Sequence, residues 1–197
     1  MNRFFIVSLA SFLLSACWPA FTPPPVAPER FDLGAAPVFS EADVYAKSMY
    51  FHLFSVSALE NSFMRYRLDY ADPAKVQFYA YARWSGTPGE VLRLFLQERL
   101  LWAEDAEPDV CRLELELQRF EQVFTAPDQS FGALSVQARL RHPDRGILAE
   151  RRVALNVAAP TPDAAGGVKA LTKASERLSA ELRRWRSDSG ANCPKQP

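Results

Sequence analysis

Histidine is nearly absent from this chain, with 2 in 197 residues, and cysteine is scarce at 3. No GxSxG elbow, Walker loop, HExxH or CxxC occurs, so the motifs that announce common hydrolases, nucleotide sites and zinc centres are missing. His52 lies inside an apolar run and reads as a core histidine. His142 lies beside Pro143 and reads as exposed in a tight turn. Acidic residues occur singly, with no pair set by pattern into a pocket that would shift a pKa. The exception is a loop holding Glu104, Asp105, Glu107 and Asp109. It lacks EF-hand spacing and reads as a solvated turn rather than a calcium site. An excess of charge is also missing. Lys plus Arg equals Asp plus Glu at 23 each, which gives a nucleic-acid partner no support. Nor does any apolar run reach the roughly 20 residues that cross a bilayer. The residues thus give no cofactor, metal or catalytic constellation, and an enzyme is the weaker reading.

What is present begins at the N-terminus. Arg3 is followed by an uncharged stretch, Phe4 to Ala16, rich in Phe, Leu, Ile, Val and Ala. A positive residue before a short apolar region is the layout of an export signal. Leu14-Ser15-Ala16-Cys17 closes that region and resembles the bacterial lipobox, whose cysteine becomes the acylated first residue of the mature chain. Two or more acyl chains hold a protein stably, at about 0.8 kcal/mol per buried CH₂. Residues 18–30, WPAFTPPPVAPER, contain five prolines and favour extended polyproline II. They read as a spacer lifting a domain about 40 Å from a membrane. Trp18 stands where an Asp typically favours inner-membrane retention, which points to the outer membrane. The expected organisation is signal peptide 1–16, lipidated Cys17 and linker to 44, one domain over 45–187, and a tail over 188–197.

Within the domain, hydrophobic period changes mark the elements. MYFHLFSV (49–56) is a nearly continuous apolar run, consistent with a buried strand. FMRYRLDY (63–70) and KVQFYAYARW (75–84) alternate, as half-buried strands do. The second places Val76, Phe78, Ala80, Ala82 and Trp84 on one face, and Gln77, Tyr79, Tyr81 and Arg83 on the other. Thr87-Pro88-Gly89-Glu90 then carries a cap, a first-turn proline and the acid of a capping box. Val91, Leu92, Phe95, Leu96 and Leu100 make the stripe of the helix that follows, through about 103. CRLELELQRF (111–120) alternates until its phase slips before Phe120, predicting a bulge near Gln118 and Arg119. Strands over 132–140 and 147–157 and a helix with Val168, Leu171, Ser175, Leu178, Leu182 and Trp185 complete the pattern. The expected fold is α+β: a mixed or antiparallel sheet of about six strands with two helices packed on it, in a βββα-βββα plan. Thr-Pro opens both helical regions (87–88 and 161–162), and Glu-Arg-Leu recurs (98–100 and 176–178), so an internal duplication is one reading.

Two further sets of residues invite a role. Cys111 and Cys193 either form a disulfide, allowed in an exported protein, or remain a buried thiol and a free one. Tyr79, Tyr81 and Arg83, with Arg65 and Arg67 of the preceding strand, form a candidate interface, because Tyr and Arg are enriched at protein contacts. The other readings of that face are cover by the proline-rich linker or exposure to water. Arg177, Arg183, Arg184 and Arg186 crowd the end of the last helix, where they complement its dipole; a lipid-headgroup contact is the secondary reading.

The segments 63–100 and 113–130 and the closing helix resemble the ABC-transport auxiliary lipoprotein family, the PqiC-like proteins. Tyr66-Arg67, Arg83-Trp84 and Pro88 match that family's strand, strand end and Pro-led helix, and the likeness covers most of residues 50–186. The resemblance implies a non-catalytic lipoprotein facing the periplasm that works with MCE-type proteins and an ABC transporter in moving lipid or maintaining the envelope. Cys193 lies outside the pattern. A scaffold lipoprotein of another envelope machine and a small lipid-binding lipoprotein are the alternatives. A deep apolar cavity favours the carrier, and a filled core with an outer apolar patch favours a scaffold or transporter subunit. A second copy of the chain is a further candidate partner.

Overall fold

The computed structural model describes residues 26–34, 49–100 and 111–188. Cys17, the acidic loop at 104–109 and Cys193 lie outside them. In chain order the elements are β1 (Glu29–Phe31), β2 (Met49–Ser55), a 3-10 turn (Ser57–Leu59), β3 (Phe63–Leu68), β4 (Asp72–Trp84), α1 (Pro88–Leu100), β5 (Cys111–Ala126), β6 (Gln129–His142), β7 (Gly146–Ala158) and α2 (Ala164–Asp188). They build a mixed seven-stranded sheet in the order β1-β4-β3-β5-β6-β7, with β2 also on β5. The α+β architecture and both helices match the expectation; β1 is additional.

β5 organises the sheet. One of its edges carries the antiparallel meander β5-β6-β7. Its other edge takes two strands end to end. β2 runs parallel along Cys111 to Leu117, and β3 runs parallel along Gln122 to Phe124. The change of partner coincides with a register shift between Leu117 and Arg119, the bulge that the phase slip predicted. One extra residue there brings Phe120 back to the face already occupied by Leu113, Leu115 and Leu117, and all four are buried. Among the described residues the halves of the chain share neither a strand count, four before the first helix and three before the second, nor a pairing pattern, since β2 and β3 pair with β5 rather than with each other.

Helix starts follow from local chemistry. In α1 the Glu90 amide donates to Thr87 Oγ1 (3.2 Å) and Glu90 Oε2 accepts from the Thr87 amide (2.7 Å), a capping box. These bonds, the backbone one foremost, hold the Glu90 carboxyl below its ordinary pKa. The second Thr-Pro does not repeat that role. Asp163 caps α2, accepting from the Gly166 amide (2.7 Å) and the Thr161 hydroxyl (2.8 Å). The amide bond leads in lowering its pKa.

Both helices lie against the sheet. Trp84, Phe120, Leu92, Leu96, Leu178 and Leu182 fill the layer between, each no more than 1% exposed, and the Trp84 and Phe120 rings sit 5.1 Å apart. Gly132 of β6 allows α2 to come close, because a Cβ there would stand 2.9 Å from the Leu171 amide nitrogen.

Three readings are corrected. Residues placed in the linker join the sheet: β1 pairs in parallel with Ala82–Trp84 of β4, and Leu33 enters the core. His52 is exposed rather than buried, because β2 alternates, with Phe51 and Leu53 inward. His142 is buried rather than exposed, because β6 continues through it and the hairpin turn starts only after it. Its Nδ1 accepts from the Asp144 amide (3.1 Å).

Candidate functional site

The five candidate interface residues separate onto different surfaces. Between β3 and β4 the register jumps from Phe63↔Arg83 to Arg65↔Phe78. Extra residues in β4 reverse its inside-outside phase. Ala82 and Trp84 point inward above the irregularity, but below it Gln77 and Tyr79 are half-buried while Phe78 is exposed. The Tyr79 hydroxyl donates to Gln122 Oε1 (2.8 Å), and its ring lies 4.8 Å from that of Tyr66. Gln122 is itself buried, and its amide donates to Ser130 Oγ (2.8 Å). Burial, then the neighbouring Tyr66 and Asp163, push the Tyr79 phenol above its ordinary pKa. Tyr79 therefore belongs to the interior near the start of α2. Tyr81 is 65% exposed. Arg83 stacks over Phe63 at 4.5 Å, and Phe63 contacts Phe78 at 5.4 Å. Phe63, Phe78, Tyr81 and Arg83 thus give the β4 side of the sheet an exposed aromatic edge.

Arg65 pairs with Phe78 and shares the outward face of β3 with Phe63 and Arg67; from there Arg65 and Arg67 reach toward β5 and a carboxylate that sequence reasoning missed. Glu121 of β5 is only 4% exposed, and its Oε1 accepts from Arg67 Nε (2.9 Å) and Arg119 Nε (2.7 Å). Arg65 Nε stands 4.0 Å from Oε2. Backbone carbonyls hold the far ends of two guanidiniums: Ala58 O accepts from Arg65 Nη1 (3.0 Å) and Pro73 O from Arg67 Nη1 (3.0 Å). These groups line an open cavity of about 360 Å³, joined by Ser135 and Arg152. The surface is built, not incidental, since a buried carboxylate persists only when paired. Its signal in the sequence is the Glu121-Gln122 pair within the otherwise apolar FEQVF, the two residues on opposite faces of a buried strand.

Cys111 opens β5, is fully buried and is disulfide-bonded; its partner lies outside the described residues. Among the described residues no cluster of His, Cys, Asp and Glu is arranged to hold a metal, and no helix is long and apolar enough to cross a membrane.

The sheet with its two helices and the strand-helix order over β3 to α2 coincide with a known sequence family. A family model described as the ABC-type transport auxiliary lipoprotein component matches residues 66–183, more than half of the chain. The chain belongs to this family. Among solved structures, a Xanthomonas campestris protein of the DUF330 family superposes with a TM-score of 0.63 at 18% identity, covering 75% of this chain and 89% of the other. An uncharacterized protein superposes at 0.61 with 15% identity, covering 80% and 97%. At such identities these likenesses speak for the fold. Among curated proteins none matches the sequence. For this transport auxiliary lipoprotein, the matched span takes in Tyr66-Arg67, Arg83-Trp84 and Pro88, as well as the buried Glu121 with Arg67, Arg119 and Arg152 around it.

Proposed function

We propose that this chain is a non-enzymatic subunit of a lipid-transport system, held by acyl groups on Cys17 in the outer membrane and facing the periplasm. Its partners in this reading are an MCE-domain protein and an ABC transporter, and its task is to keep the envelope intact. The observation that carries the reading is the exposed aromatic patch of Phe63, Phe78 and Tyr81, with half-buried Arg83 stacked on Phe63, on a domain whose helix–sheet layer is packed by buried side chains among the described residues. Aromatic and Arg side chains bring large contact area to an interface. The filled layer favours a contact subunit over a carrier that encloses a lipid. Family membership supplies the transport context.

The test replaces Phe78 and Tyr81 together by Ser in the full chain. Loss of co-purification with the MCE partner, with the melting temperature within a few degrees of wild type, is the expected result. Deletion of the whole gene is expected to sensitise the outer membrane to detergent. Normal partner capture by the double variant removes the edge from the interface. A hydrolase turnover by the purified chain that vanishes on replacing His52 or His142 removes the non-enzymatic reading.

A further inference from the structure

We propose that the arginine cavity around Glu121 binds a phosphate group. Four guanidiniums, from Arg65, Arg67, Arg119 and Arg152, line it against two carboxylates, Glu121 and Asp69. That leaves a surplus of two positive charges on one concave surface. Arginine presents a planar fork of donors that matches phosphate oxygens. Glu121 and the backbone carbonyls already hold three of these forks, so little rotamer entropy is lost when an anion arrives. Arg65 Nε and Ser135 Oγ, both of residues in the lining, are buried and have no hydrogen-bond partner among the described residues. Ser135 is only 6% exposed. A buried unpaired group is costly and rare; both atoms lie just beneath the cavity wall, where a rotamer change on anion binding would turn them toward the ligand. Arg152 makes no ion pair among the described residues and is exposed at the mouth.

The volume, about 360 Å³, lies near the low end for small-molecule sites, roughly 300–1,000 Å³. It takes a phosphate with a short polar substituent. Its arginine-rich lining does not suit acyl chains. The ligand is therefore a soluble phosphate ester, or a lipid headgroup whose tails stay outside. The inference stands on the cavity alone and does not require the transport reading.

The experiment uses the full chain in nonionic detergent at low ionic strength. Inorganic phosphate and glycerol phosphate are titrated while melting temperature and heat of binding are followed. Wild type is expected to bind both. Arg152→Gln is expected to weaken binding by roughly tenfold, the worth of one charged hydrogen bond. Arg145→Gln, the same charge change in the β6–β7 hairpin, should leave it unchanged. Ser135→Ala is expected to weaken binding while keeping or raising the melting temperature without ligand, because it deletes an unpaired hydroxyl. Micelles doped with phosphatidylglycerol separate the sources: further stabilisation that Arg152→Gln abolishes identifies a headgroup, and none identifies a soluble ester. No response of wild type to inorganic phosphate overturns the proposal whatever the lipid does. Equal losses in Arg152→Gln and Arg145→Gln overturn it too, because they reduce the effect to bulk charge.

Discussion

Tyr79 of β4 and Gln122 of β5 are joined by a 2.8 Å hydrogen bond although β3 runs between their strands. The phenol reaches across β3, beside the Tyr66 ring, to a buried amide. That amide needs every partner it has. Gly167 of α2 lies so near Gln122 that a Cβ would collide with the side-chain amide, so the helix start, two strands and one glutamine are fitted together.

Tyr79→Phe keeps the ring and removes the hydroxyl, leaving Gln122 Oε1 without that donor. The expected loss of stability is about 1–2 kcal/mol, read from chemical denaturation. Tyr81→Ser, on an exposed side chain, should change stability by less than about 0.5 kcal/mol. Equal effects from the two would contradict the placement of Tyr79 inside.

Asp163 tests the start of α2 through pH. Its folded-state pKa is lowered, first by the Gly166 amide bond. Its stabilising contribution is therefore present above the ordinary carboxylate pKa and fades as pH falls through the folded value. Asp163→Asn keeps a capping side chain but cannot titrate. The difference in melting temperature between wild type and this variant should be constant from pH 7 to about 5 and shrink below about 4. Asp163→Ala should cost about 1 kcal/mol at neutral pH. A wild-type-minus-Asn difference that stays flat down to pH 3 would remove the charge from the account.

We propose Cys193 as the disulfide partner of Cys111, since the proposed function assigns Cys17 to acylation. Such a bond closes a long loop and pins the tail to the start of β5. Cys193→Ser should lower stability by about 2–4 kcal/mol and expose one new thiol to titration in denaturant. Peptide mapping that finds Cys193 unpaired in the wild-type chain eliminates the pairing.

The anchor is tested by Cys17→Ser. Incorporation of a fatty-acid analogue should disappear, and the chain should accumulate as an unanchored or unprocessed form. Label retained on the serine variant would show that another residue is the acceptor.

Sequence alone determined the element types and the bulge. Alternation, the Thr87–Glu90 capping box and the phase slip before Phe120 are local signals, set by neighbouring residues within one turn or one pleat. Register is not local. The irregularity that turns Tyr79 inward and Phe78 outward arises where β3 pairs with β4, and nothing within KVQFYAYARW marks it. Nor could alternation reveal that residues 29–31 pair with β4, that His142 sits at a buried strand end, or that Arg65, Arg67 and Arg119 meet on Glu121. Those ion pairs join residues as far apart in the chain as Arg67 and Glu121, and only the parallel pairing of β3 with β5 brings them together. Burial and pairing of charge depend on which strands become neighbours, so tertiary structure decided the chemistry of the cavity, while the sequence determined the strands that build it.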